Sequence, residues 1–312
     1  MNHITIIGSG AVGAMYGLRL HQLLGKEHVV FLADEQRRKR YAEEALVLNG
    51  ENSDFTFVDP KDAKISDLVI IATKNLQLEE AVRQIEPAVG EHTTILSLLN
   101  GIDSEEKLSQ VYGEEHVLYG FAVGLNSTHI GNRIDFSKEG RIVFGEKDNS
   151  RSKRIEAICS LFHRAHIDYV VPEDIRLELW KKFMLNTAFN TISALCRATY
   201  GDLKQESVQT LAWKASKEVQ AVGQREGVFL TDAMIEQNYQ VVTSLGFDGK
   251  TSMCQDMEAG RRTENNWFCS AVVRLGNKHS IPTPTCEILS LLIEASEGVQ
   301  IRLKAFREQH SS

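Results

Sequence analysis

The chain is 312 residues long, 42% hydrophobic and 25% charged, with a formal net charge of −7. This is globular composition, and at about 150 residues per domain the length implies two domains. Five prolines and 22 glycines exclude a proline-rich or collagen-like chain. The acidic balance argues against a nucleic-acid partner, and no apolar run approaches the roughly 18 residues of a membrane helix.

Cys159, Cys196, Cys254, Cys269 and Cys286 are scattered, odd in number and without a C-x-x-C pair. That usage points to a reducing, cytoplasmic setting, and against a disulfide framework or a metal site. The N-terminus, MNHITIIGSG, enters a strand directly and carries no signal-peptide pattern.

In chain order, residues 4–7 predict a strand, 11–24 a helix and 28–32 a second strand. A charged segment covers 34–44 and a third strand 55–58. Residues 68–73 and 94–99 are near-continuous apolar runs separated by a helical stretch, as strands buried on both faces require. Strands alternating with helices imply a parallel sheet. Residues 117–123, 133–136 and 141–144 read as short strands broken by Gly-containing turns, giving an antiparallel edge. Beyond Pro172 the β-signal fades, and 173–195, 205–226, 232–244, 263–278 and 285–306 read as helices. The domains are therefore expected at 1–172 and 173–312.

Gly8-Ser9-Gly10-Ala11-Val12-Gly13 is a G-x-G-x-x-G that follows a strand and opens a helix, the context the motif needs to bind a dinucleotide. The first glycine permits the turn, the second lets a pyrophosphate reach the backbone, and the third brings helix and strand together. Free N–H groups at the helix start then face the phosphates. A ligand-free structural turn is the plain alternative. The expected fold is thus α/β and Rossmann-like, followed by an all-α domain. At the end of the second strand Ala33-Asp34-Glu35 favours NAD, whereas Arg37-Arg38-Lys39-Arg40 is either a phosphate contact or a solvated helix face.

From Phe183 onward the helix opening the second half is apolar nearly all round, interrupted by Asn186 and Asn190. With Lys182 they form an i, i+4, i+8 stripe. Buried amides and a lysine need partners, because each unpaired polar group costs roughly 1–3 kcal/mol, and a polar ligand would supply them. A stripe reaching water is the alternative. Farther on, Thr251 or Ser252 can cap a helix that Gly260 ends, and Thr263-Glu264 starts the next. Asp256, Arg261 and Arg262 read as structural ion pairs.

In combination these motifs resemble the ketopantoate reductase (2-dehydropantoate 2-reductase) family. The resemblance runs through GSGAVG, Ala72-Thr73-Lys74, Leu98-Leu99-Asn100-Gly101, the Lys182–Asn190 segment, and Ser252-Met253-Cys254-Gln255-Asp256 to Gly260-Arg261-Arg262-Thr263-Glu264. It implies reduction of ketopantoate to pantoate by NADPH on the route to pantothenate. By resemblance Lys182 is the general acid and Glu264 a catalytic acid at the cofactor–substrate junction. Asn100, Asn186, Asn190 and Ser252 would bind substrate. Gly8, Ser9, Gly10, Ala11, Val12, Gly13, Lys74, Asn100 and Glu264 would bind the cofactor, with NADP(H) favoured and NAD(H) possible. The family commonly carries an arginine where Ala33 stands. The implied partner is a small 2-keto acid, with no nucleic acid, membrane or metal. A homodimer through the long apolar helices is possible, although core packing explains them equally. The rival readings are a D-2-hydroxyacid dehydrogenase acting on another branched or aromatic 2-keto acid, and a non-catalytic dinucleotide-binding sensor.

Overall fold

The structure is a computed structural model that describes residues 1–310. It divides into two compact units, Met1–Arg176 and Leu177–Ser312. The first contains strands β1 (Ile4–Ile7), β2 (Val29–Leu32), β3 (Val47–Leu48), β4 (Glu51–Asn52), β5 (Thr56–Val58), β6 (Leu68–Ile71), β7 (Thr94–Ser97), β8 (Val117–Ile130), β9 (Arg133–Gly145) and β10 (Tyr169–Val170). Its helices are α1 (Ala11–Leu24), α2 (Glu35–Glu43), α3 (Leu78–Gln84), α4 (Ser104–Tyr112) and α5 (Lys153–Arg164).

All ten strands form one sheet in the order β4-β3-β9-β8-β7-β6-β1-β2-β5, with β10 beside β9. The segment from β7 to β5 is parallel, in register Ile4↔Leu68 and Ile4↔Val29. Every residue of β1, β2, β6 and β7 is buried, which is why these strands read as near-continuous apolar runs. Alternation divides the side chains between two cores. Ile4, Ile6, Leu68, Ile70 and Leu96 pack with Tyr16 and Leu20 of α1 and with Ile155, Ile158 and Phe162 of α5. Ile7, Val69, Ile71 and Ile95 pack on the other face with Leu78 and Ala81 of α3 and Leu108 of α4.

At the far edge β8 and β9 form one long antiparallel hairpin, not a series of short strands. The glycines read as turns, Gly124 and Gly140, lie opposite one another inside it at positive φ. A Cβ on Gly140 would stand 2.2 Å from the carbonyl oxygen of Val123. These glycines therefore bend a continuous hairpin, as a bulge does, and do not end it. Short β3 and β4, which the sequence did not announce, pair at this edge.

The second chain segment is helical: α6 (Ile175–Leu185), α7 (Thr191–Cys196), α8 (Glu206–Arg225), α9 (Asp232–Thr243), α10 (Ser252–Glu258), α11 (Cys269–His279) and α12 (Pro284–His310). The helix expected over 173–195 is interrupted by a π-turn at Asn186–Asn190. The helix expected to start at Thr263 begins instead at Cys269, after a 3-10 turn at Asn265–Trp267. Among the described residues no helix is long and apolar enough to cross a membrane.

Candidate active site

In the first unit the candidate residues follow the C-terminal ends of neighbouring strands. The chain leaves β1 in one direction to β2, and β6 joins its other side. This is the switch point at which open α/β sheets bind ligands. Gly8 sits at φ +104, and a Cβ there would lie 2.5 Å from the carbonyl carbon and oxygen of Ala72. A Cβ on Gly13 would lie 1.9 Å from the oxygen of Gly8. The loops after β1 and β6 therefore touch through bare backbone.

Gly10 differs. It caps α1 in extended conformation with no side-chain hydrogen bond, and a Cβ there meets nothing within 4 Å. The first turn of α1 (Ala11, Val12, Gly13) has N–H groups with no intrahelical acceptor, beside open space and the positive end of the helix dipole. That cradle fits a dinucleotide pyrophosphate.

Ser9 is already engaged, with its Oγ 2.7 Å from Oη of Tyr41. Tyr41 stacks on Phe57 at 4.4 Å, and the Arg40 guanidinium lies 4.7 Å above the Tyr41 ring while donating to its hydroxyl at 2.8 Å. Lys74, exposed after β6, precedes a 3-10 turn whose Asn75 Nδ2 donates to the carbonyl oxygen of Asn100 at 2.8 Å. The loops bearing Lys74 and Asn100 are thus tied together. Sequence reading missed Asn75 and Tyr41, although a polar residue directly after Ala-Thr-Lys was the available signal for the first.

At the end of β2 Ala33 is buried, and Asp34 Oδ1 caps α2 by accepting from the N–H of Arg37 at 2.7 Å. The basic run on α2 is divided by its partners. Arg38 pairs with Asp59 at 2.8 Å and Lys39 with Glu35 at 2.7 Å. Arg37 lies 3.7 Å from Asp34, and Arg40 covers Tyr41.

In the second unit Lys182 lies in the last turn of α6 and the π-turn follows. A π-turn inserts into an α-helix at a cost in hydrogen-bond geometry, and such turns are frequent at functional sites. All five of its residues are buried. Asn190 Nδ2 donates to Asn186 Oδ1 at 3.2 Å, so the two amides of the predicted stripe meet despite the changed helical pitch. Thr251, not Ser252, caps α10, accepting from the N–H of Cys254 at 3.2 Å and bonding Ser193 at 3.1 Å. Ser252 is left exposed at the first position of the helix. Glu264 precedes the 3-10 turn, which Asn265 fastens to Ser290 and Thr263 to Glu297. Asp256 is buried and pairs with Arg261 at 2.7 Å.

These features define a Rossmann-like domain with an open glycine loop at a helix start, joined to a helical domain carrying a lysine and a buried amide pair. Comparison with known proteins identifies the class further. The description "Ketopantoate reductase PanE/ApbA" matches residues 4–149, and its C-terminal counterpart matches residues 174–297. The 2-dehydropantoate 2-reductase of Streptococcus pyogenes serotype M3 is 28% identical over 304 residues, covering 95% of this chain and 98% of the relative. The uncharacterised oxidoreductase YkpB of Bacillus subtilis strain 168 is 27% identical over 299 residues, covering 94% and 98%. A ternary structure of D-mandelate dehydrogenase with NADH and anilino(oxo)acetate shares the fold with TM-score 0.86 at 21% identity, covering 96% of this chain and 99% of its own. The chain belongs to the ketopantoate reductase family, oxidoreductases that use a nicotinamide dinucleotide.

Proposed function

We propose that this protein reduces ketopantoate to pantoate with NADPH, on the route to pantothenate. The observation that carries the reading is the buried Asn186–Asn190 amide pair on a π-turn directly after Lys182. The Gly8–Gly13 loop holds the pyrophosphate at Gly10, with Ser9 fixed by Tyr41. Asn100 and Lys74 occupy loops that Asn75 ties together at the C-terminal ends of β6 and β7. When bound, the reduced nicotinamide supplies hydride to the carbonyl carbon of the keto acid.

As the ketone is reduced, negative charge grows on its oxygen and must be met by a cation or proton donor. Lys182 holds the proton for that oxygen and serves as general acid. Asn186 and Asn190 present amide hydrogens and a carbonyl to the hydroxylated tail of the substrate, and Ser252 adds an exposed hydroxyl. Glu264 acts as the acid at the cofactor–substrate junction. The 2′-phosphate falls to Arg37 and Arg40, because Arg38 and Lys39 are held by carboxylates at 2.8 and 2.7 Å, whereas Arg37 stands 3.7 Å from Asp34 and Arg40 rests on Tyr41.

One observation favours a second reading. Ala33, followed by Asp34, stands where the family commonly places arginine, and the fold is shared with an NADH-bound D-mandelate dehydrogenase. An NADH-dependent D-2-hydroxyacid dehydrogenase would follow. Initial rates with ketopantoate, 2-ketoisovalerate and benzoylformate, each with NADPH and NADH, separate the two. The proposal expects the highest kcat/KM for ketopantoate with NADPH, and preference for benzoylformate with NADH would replace it by the second reading. In the same assay Lys182→Ala is expected to lose roughly 10²–10⁴-fold in kcat. Near-normal turnover would remove Lys182 from the mechanism.

A further inference from the structure

The loop carrying Asn100 is closed at its far end by a carboxylic acid that the proposed chemistry does not use. Glu105, in the first turn of α4, is fully buried. Its Oε2 accepts from the hydroxyl of Ser104 at 2.9 Å. With its proton committed to Glu105, Ser104 accepts from Ser97 Oγ at 2.9 Å. Ser97 ends β7 and in turn accepts from the N–H of Leu99 at 3.4 Å. The chain has a direction. It begins at a backbone N–H, which can only donate, and it ends at a group that must accept. Oε1 of Glu105 is buried with no hydrogen-bond partner among the described residues.

We propose that Glu105 is a positioning residue whose carboxylate terminates the Leu99–Ser97–Ser104 hydrogen-bond chain and so holds the Asn100 loop in its dinucleotide-binding conformation. The inference rests on the reading of Asn100 as a cofactor contact. The ionised acid matches the direction of the chain and makes its last bond charge-assisted, about twice as strong as a neutral one. Protonation weakens that bond and puts an O–H at the Oε1 position, where no acceptor waits.

The surroundings place this switch in the neutral range. Burial pushes the Glu105 carboxyl up to about 7, opposed by its own backbone N–H, the Ser104 hydroxyl and the Gly120 N–H, and aided by the charge of Asp103. Nearby stand Glu106 on the same helix and Tyr119 on β8, whose phenol is held above its usual range by burial and by Glu106, Glu105 and Glu114 against the opposing charge of Arg176. A group raised in this way loses its proton, and tightens the loop, as pH rises through 7.

The test is the dissociation constant of NADH, followed by its fluorescence from pH 6 to pH 8, with NADPH in parallel because a phosphate monoester itself titrates near pH 6. For the wild type NADH should bind about two- to tenfold more weakly at pH 6 than at pH 8, the equivalent of one net hydrogen bond. Glu105→Gln has an amide with no acceptor where the acid has its O–H, and should bind at the weak level across the whole range. Ser97→Ala cuts the chain without touching the buried carboxyl and should likewise flatten the profile. Asn100→Ala is the reference. If it weakens binding while Glu105→Gln and Ser97→Ala keep the wild-type profile, the positioning role is overturned and the reading of Asn100 stands. If Asn100→Ala leaves binding unchanged, the reading of the loop fails and the proposal fails with it.

Discussion

The glycine loop offers a paired perturbation in which one methyl group has opposite consequences at two positions. Gly13→Ala places a Cβ 1.9 Å from the oxygen of Gly8 and 3.2 Å from the Cβ of Ala72. Neither contact lies at the end of a flexible side chain, so backbone must move. Overpacking of this kind costs about 1–3 kcal/mol or more. For a unit the size of Met1–Arg176, each kilocalorie shifts Tm by about 2–4 °C, so a loss of several degrees is expected. Gly10→Ala meets nothing within 4 Å, and the residue sits at φ −75, ψ −175, which any residue adopts. Its stability should change by less than about 1 kcal/mol. The added methyl nevertheless fills the cradle at the start of α1. Losing one hydrogen bond to a charged phosphate costs about 1.5–3 kcal/mol, roughly ten- to hundredfold in Kd. Thermal denaturation monitored by circular dichroism and NADPH fluorescence titration measure the two effects separately. Native affinity in Gly10→Ala would refute the cradle as the pyrophosphate site. A native Tm in Gly13→Ala would refute the close-packing argument.

Two further outcomes follow from the charge arrangement. Arg37→Ala combined with Arg40→Ala should raise the KM for NADPH about tenfold or more while changing that for NADH by less than about twofold, since only NADPH carries the 2′-phosphate; equal effects on both would assign the pair to the fold alone. Burial pushes the Glu226 carboxyl upward, but His279 at 2.5 Å and Lys278 at 2.7 Å outweigh it and hold the group below its usual value. Its stabilisation is therefore present above about pH 4.5 and lost as pH falls through the lower folded-state value. Glu226→Gln should lower Tm at pH 7, with the gap to wild type closing in acid, and a gap that persists unchanged at pH 3 would contradict the ion-pair account.

The elements legible in the sequence are those whose physical cause is local or periodic. Residues 4–7 and 68–71 declared themselves as strands because burial on both faces leaves them almost wholly apolar. The glycine motif was legible because the close backbone approaches at Gly8 and Gly13 demand glycine at fixed spacing. Lys182, Asn186 and Asn190 stood out as polar residues on an apolar helix. The π-turn did not, because the same residues satisfy i→i+4 or i→i+5 bonding and packing chooses between them. Glu264 read as a helix start, yet Ser290, 25 residues from Asn265, and Glu297, 34 residues from Thr263, anchor a 3-10 turn there instead.

By itself the sequence determined the parallel sheet, the helical second half, the glycine-rich strand–helix turn and the candidate site residues, since composition and spacing fix burial patterns and donor types. Only the tertiary structure decided that Asp59 holds Arg38, that Asn75 clasps Asn100, that Tyr41 holds Ser9, and that Glu105 in the Ser-Glu-Glu-Lys start of α4 is fully buried. These depend on contacts between residues far apart in the chain and on the desolvation those contacts impose, and neither is written in any local pattern of residues.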